Sequence, residues 1–204
     1  NYIMLDLNRP LHAYDADKVD RKITVRSSKK GEKFLALDNN KYSLEEDACL
    51  ITNDQEILGL GGVIGGESSS ISLDTKNIFL ESALFDSVKI SKIAKKLGIN
   101  SDAKFRFERG VDPNIMEYGL KLAAKIINKL CGGKISNIII SGESNFKNKQ
   151  IKFNLDKFER VIGSKISSTE IKKILNNLGF KFKESKNTYS INIPTWRPDI
   201  KEEV

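Results

Sequence analysis

Apolar and polar positions alternate in short runs through the first eighty residues. Residues 2–7, 23–27, 34–37, 48–52 and 78–81 are apolar or alternating stretches broken by clusters of Gly, Asn, Asp and Lys. Such runs bounded by turn residues predict short strands. The period then lengthens. Ile90, Ile93, Ala94 and Leu97 fall on one face of a helix that opens at Asp86, a good N-cap, and closes at Gly98. Asp112-Pro113 places an N-cap before a proline at the first helical position. The helix predicted after it carries Ile115, Leu122, Ile126 and Leu130 and stops at Gly132-Gly133. Residues 137–140 predict a further strand.

Residues 142–150 are polar and aperiodic, which predicts a linker. Beyond it, Ser167-Ser168-Thr169-Glu170 is a capping box, in which the Ser hydroxyl and the Glu carboxylate each satisfy a free backbone N–H. Ile171, Ile174, Leu175 and Leu178 follow at helical spacing, and Gly179 ends the run. Two β-like stretches, 180–183 and 189–193, flank a polar turn at 185–187. The whole pattern predicts an α+β chain. A mixed-sheet domain with helices spans 1–141, a linker 142–150, and a small winged-helix-like α/β module 151–204. The absence of Met at position 1 and the end at Lys-Glu-Glu-Val read as an excised piece of a longer protein, with the second module cut short.

Charge adds one distinction. The 204 residues carry net +7, split as +2 over 1–141 and +5 over 142–204, so the C-terminal part is the more basic per residue. A positive excess fits a nucleic-acid partner, but a Lys-, Ile- and Asn-rich composition also follows from an AT-rich genome. Cys49 and Cys131 form no CxxC or CxxxC pair, which speaks against a disulfide framework or a zinc site. Each reads as a small apolar filler. No run approaches the ~20 apolar residues that span a bilayer. The N-terminus, with Asn8, Arg9 and His12 close behind Asp6, lacks a signal peptide's apolar core. The expected setting is reducing and cytoplasmic, without a membrane.

The chemistry-bearing residues are few. His12 is the only histidine, so imidazole chemistry in this chain uses His12 or does not occur. Asp15 follows three residues later and is able to hold a tautomer; a lone histidine is otherwise structural or exposed. Residues 59–66 hold five glycines but match neither a P-loop nor GxGxxG. They suit either a ligand-approaching backbone or a tight turn or bulge. Glu81 ends an apolar run, where a partly buried carboxylate accepting a ligand hydroxyl competes with an edge-strand carboxylate in water. The alternation of Phe and Arg over 105–109 suits nucleic-acid stacking, or more simply a strand with its apolar side chains inward. No catalytic triad, zincin motif or EF-hand loop is present, and no metal is expected.

Several segments together resemble one family. They are Asn1-Tyr2-Ile3-Met4-Leu5, Arg9-Pro10-Leu11-His12-Ala13-Tyr14-Asp15, Gly61-Gly62-Val63-Ile64-Gly65-Gly66, Phe79-Leu80-Glu81-Ser82-Ala83, Ser101-Asp102-Ala103 and Arg106-Phe107-Glu108-Arg109-Gly110-Val111-Asp112-Pro113. In this order they resemble the editing region of the bacterial phenylalanyl-tRNA synthetase beta subunit. Leu178-Gly179-Phe180 and Pro194-Thr195-Trp196-Arg197-Pro198-Asp199-Ile200 resemble the module that follows it. The resemblance implies hydrolysis of tyrosine mischarged onto phenylalanine tRNA, in support of ligation by the full enzyme. It implies that Glu81 accepts the substrate's phenolic O–H and that the Gly62 N–H donates to the same oxygen. Asn1 and His12 line the end near the amino group and ester, with His12 the catalytic candidate, and Ser101 and Ala103 shape the opposite wall. The family's Phe at position 14 is Tyr here, and its usual Ala at 61 is Gly. The resemblance also implies tRNA and a synthetase alpha subunit, in a heterotetramer, as partners. This stretch needs no cofactor; ATP and magnesium serve the full enzyme's ligation site on the alpha subunit. The alternative is a non-catalytic module that binds tRNA or a partner subunit.

Overall fold

The structure is a computed structural model that describes residues 1–19, 22–142 and 146–203. It is α+β, as the pattern predicted, and divides into two compact units. The sheets, expected as mixed, are antiparallel in every ladder among the described residues.

The first unit comprises Asn1–Val111 and Ile115–Ile139. It opens with a helix, α1 (Tyr2–Leu7), where a strand was predicted. Short apolar runs do not distinguish the two periods. Here Ile3 and Met4 are buried, and the chain leaves the helix through Asn8 in the left-handed region, φ 51°. Strands β1 (His12–Asp15), β2 (Thr24–Ser27), β3 (Lys33–Leu35), β4 (Lys41–Ser43), β5 (Cys49–Thr52), β6 (Ile57–Leu60), β7 (Ile64–Gly65) and β8 (Ile78–Glu81) follow. A four-stranded sheet runs β2-β5-β6-β7, β3 pairs β4, and β1 pairs β8.

Helix α2 (Ser87–Leu97) is built as the sequence predicts. Asp86 accepts from the Val88 and Lys89 N–H groups, and Gly98 closes the helix at φ 69°. Helix α3 (Asp102–Phe107) replaces the strand read from the Phe–Arg alternation. Residues two apart on a helix point ~200° apart. Phe107 is therefore buried, edge-on to Phe85 at 5.1 Å, while Phe105 is exposed beneath the Arg109 guanidinium at 3.7 Å. A short 3-10 turn, Pro113–Ile115, precedes α4 (Met116–Cys131), so the helix starts three residues beyond the predicted proline. Asp112 Oδ1 still accepts from the Asn114 N–H at 2.9 Å. The core gathers Phe34, Leu50 and Leu60 from the strands and Leu44 and Val63 from the turns beside them, with Ile90, Ala94, Ile99 and Phe107 from the helical side. Residues 137–140 join no ladder and are exposed.

The second unit contains Asp112–Asn114 and Ile140–Val204. It runs β9 (Lys149–Asn154), α5 (Leu155–Ile162), α6 (Ser168–Asn177), β10 (Lys181–Ser185), β11 (Thr188–Ile193), with sheet order β10-β11-β9. The expected helix and hairpin are α6, β10 and β11. Strand β9 and helix α5 lie outside that expectation, and Lys149 and Gln150 of the predicted linker belong to β9. Linker residues 143–145 lie outside the described residues. Half of the capping box forms: Ser167 Oγ accepts from the Glu170 N–H at 3.1 Å. On β11, Tyr189, Ile191 and Ile193 alternate inward onto Ile151, Ile171 and Phe180.

Candidate functional site

The β1–β8 pair places His12 directly opposite Glu81 and Tyr14 opposite Phe79. Tyr14 and Glu81 are thus diagonal neighbours on one face, within reach of a long side chain. The Tyr14 hydroxyl donates to Glu81 Oε2 at 2.5 Å. Tyr14 is 1% exposed and Glu81 is half-buried. Burial pushes the Glu81 carboxyl up; the Tyr14 hydrogen bond and the Arg9 charge oppose this, and the net shift is upward. Burial, and then the Glu81 charge, drive the Tyr14 phenol far above its ordinary value, so it is a permanent donor. Among the described residues, Glu81 Oε1 receives no hydrogen bond.

Arg9 is fully buried beside this pair. Its Nη2 donates to the Ala83 carbonyl, and its guanidinium carbon lies 5.8 Å from the Phe107 ring centroid. A buried guanidinium so anchored supplies a fixed positive charge near Glu81. Cys49 also senses Glu81. Burial first, and then that negative charge, push its thiol up, so it is a neutral thiol rather than a nucleophile.

The glycine run forms β6, a tight turn and β7. The Val63 N–H donates to the Leu60 carbonyl at 2.9 Å, with Gly62 at φ 71° between them. A side chain at Gly62 would be strained there and would strike Ile90 and Phe85, at 2.7 and 2.8 Å from its Cβ. A Cβ at Gly61 would lie 2.7 Å from Phe85 and 3.1 Å from Cys49 Sγ. The run is therefore a tight turn, one of the two forms its glycines suit. Among the described residues the Gly62 N–H donates to no protein acceptor.

His12 packs edge-on to Tyr14, ring centroids 4.3 Å apart, and against Gly65. Its Nε2 is buried and has no hydrogen-bond partner among the described residues. Burial lowers its pKa, so the ring is neutral. Asp15 does not orient it: that carboxylate accepts from Thr75 Oγ1 at 2.7 Å and the Asp17 N–H at 3.1 Å. Ser101 caps α3, accepting from the Lys104 N–H at 3.0 Å, and its hydroxyl donates to the Val63 carbonyl at 2.6 Å. It thereby ties α3 to the glycine turn, and Ala103 packs on the core beside it. Asn1 is exposed and its side chain makes no cap hydrogen bond to α1.

The structure thus joins Glu81 and His12 on one ladder and ties Ser101 to the glycine turn. Sequence reasoning passed over Arg9, Phe85 and the Tyr14 hydroxyl as parts of this cluster. Arg9 and Tyr14 stand within the segment that drew attention to His12; Phe85 carried no signal beyond being aromatic. The chemistry available is a half-buried carboxylate acceptor, a free backbone donor and a neutral imidazole. Among the described residues no cluster of three or more His, Cys, Asp or Glu side chains suits a metal. No helix there is long and apolar enough to cross a membrane.

Two family models match the chain. The B3/4 domain family model matches residues 1–132, and the chain belongs to that family. The tRNA synthetase B5 domain model matches residues 151–204. The chain is homologous to phenylalanine–tRNA ligase beta subunits. It is 42% identical to that of Rhodopseudomonas palustris, over 98% of this chain and 25% of the relative. It is 37% identical to that of Thermotoga maritima, over 100% of this chain and 26% of the relative. The chain thus spans about a quarter of these relatives' length.

Proposed function

We propose that residues 1–141 form an editing domain that hydrolyses tyrosine from phenylalanine tRNA, followed by a separate module at 151–204. The observation that carries this reading is the Glu81 carboxylate, half-buried with Oε1 unpaired and the Gly62 N–H unspent. A phenolic hydroxyl satisfies a buried acceptor that a phenyl ring leaves unpaired. Sites built this way discriminate by up to ~10⁴–10⁵. In the reaction, water attacks the ester carbonyl, the carbon–oxygen bond to the ribose breaks, and that oxygen takes up a proton. Free tyrosine and tRNA result.

The neutral His12 ring suits a role in positioning substrate or water. Its Nε2 faces the Gly65 backbone, so proton transfer at that atom requires the ring to turn. Asn1 would act near the substrate amino group, with Ser101 and Ala103 setting the opposite wall. The hydrolysis uses no cofactor; ATP and magnesium belong to ligation by the whole enzyme. The partners of this reading are tRNA and the alpha subunit, in the cytoplasm.

The test is deacylation of tyrosyl- and phenylalanyl-tRNA, both charged on phenylalanine tRNA, by the full beta subunit assembled with its alpha subunit. Wild type should release tyrosine selectively. Glu81→Ala should lose that preference, and His12→Ala should slow the release. Equal release of both amino acids, or none, by folded wild-type enzyme would favour a tRNA- or subunit-binding module, to which the net +5 of residues 142–204 is suited.

A further inference from the structure

Discrimination between tyrosine and phenylalanine at Glu81 depends on what the carboxylate loses when the hydroxyl is missing. A buried acceptor left without a donor carries the full penalty of its desolvation, whereas an acceptor already paired carries little. In this protein the donor is already present. The Tyr14 hydroxyl sits on Oε2 at 2.5 Å, and its ring is held on three sides. His12 lies edge-on at 4.3 Å, Phe79 is tilted at 6.0 Å, and the Gly59 backbone sits beside the hydroxyl. Tyr14 is 1% exposed and packs with Ile51 and Leu58, so the ring has no solvent position to retreat to. Its phenol is also the same functional group as the one to be selected.

We infer that Tyr14 is a specificity-determining residue that sets the stringency of the Glu81 site. Its hydroxyl satisfies one carboxylate oxygen before substrate arrives, and so weakens the rejection of phenylalanine. The inference rests on the editing reading and deepens it. Phenylalanine entering the site leaves Glu81 with the Tyr14 donor still in place. Tyrosine gains only the bond to Oε1, or must displace the Tyr14 proton from Oε2. Both effects compress the difference between the two substrates. Removing the hydroxyl restores an unpaired buried carboxylate, which penalises phenylalanine more than tyrosine.

The experiment compares wild type with Tyr14→Phe in the assembled full-length enzyme. The tyrosine-over-phenylalanine ratio of kcat/KM for deacylation should rise roughly tenfold in the variant, the scale of one hydrogen bond to a charged group. Most of the change should come from slower phenylalanine release. Hydrolysis-resistant 3′-amide analogues of tyrosyl- and phenylalanyl-adenosine give the same ratio as binding affinities, independent of turnover. An unchanged ratio overturns the inference, and a falling one shows instead that Tyr14 holds Glu81 in place for substrate. A merely structural role would slow both substrates alike and lower the thermal midpoint. Wild-type enzyme without tyrosine preference would overturn the editing reading itself, and the inference with it.

Discussion

The His12 imidazole lies against the Gly65 backbone so closely that a Cβ at position 65 would stand 2.4 Å from Cε1 and 2.7 Å from Nε2. Glycine at 65 is therefore what allows the histidine its buried place beside Tyr14. Gly65→Ala should displace the ring, slowing deacylation as far as His12→Ala does. Overpacking of this kind costs about 1–3 kcal/mol, and thermal denaturation beside the deacylation assay measures both effects.

Glu81 carries a stability cost that pH reveals. Its folded pKa is raised, chiefly by burial, so the folded state binds its proton more tightly than the unfolded chain. The associated stability is complete below the ordinary glutamate range and is lost as pH rises through the raised value. Glu81→Gln removes that loss. The variant should be more stable than wild type at pH 8 by about 0.5–2 kcal/mol, the common scale of such gains at functional positions. At pH 4 the gain should vanish. Urea unfolding at the two pH values decides it.

His12 has the opposite slope. Its folded pKa is lowered by burial, so the fold favours the neutral ring. That contribution is present above the unfolded value near 6.5 and is lost as pH falls through the folded one. Between pH 7.5 and 5.5 the melting temperature of wild type should drop more than that of His12→Gln. Parallel curves for the two proteins would refute this.

Ser101 serves two elements with one side chain. Ser101→Ala removes the α3 cap and the bond to the Val63 carbonyl together. Cap loss alone costs about 0.5–2 kcal/mol. Amide exchange should quicken at Lys104 and through residues 61–65, while Ser101→Thr should keep both bonds.

Ser167→Ala is the matching change in the second unit. It deletes the acceptor of the Glu170 N–H, and should cost about 1 kcal/mol with no effect on the deacylation ratio. Denaturation followed by the single Trp196 fluorescence reports on that unit.

What was legible in the sequence was local. The α2 and α6 caps at Asp86 and Ser167, the glycine stops at Gly98 and Gly179, and the span of β8 ending at Glu81 all rest on residues within a few positions of one another. Residues 2–7 and 105–109 misled because a short apolar or alternating run fits a helix as well as a strand, and packing decides between them. Residues 137–140 have strand composition but no partner strand, and composition without a ladder makes no sheet.

Residues close together in the chain set the caps, the helical faces, the α+β class and the presence of one histidine, one glycine turn and one carboxylate at a strand end. How these meet is a property of the folded chain. Tyr14 and Glu81 are 67 residues apart, and their bond exists because β1 and β8 pair in one register; a slip of one residue would turn Glu81 to the other face. The buried charge of Arg9, the sealed Nε2 of His12 and the raised pKa of Glu81 likewise follow from which groups exclude water from one another. Caps and periodicity act over one helical turn, whereas burial is a property of the assembled surfaces.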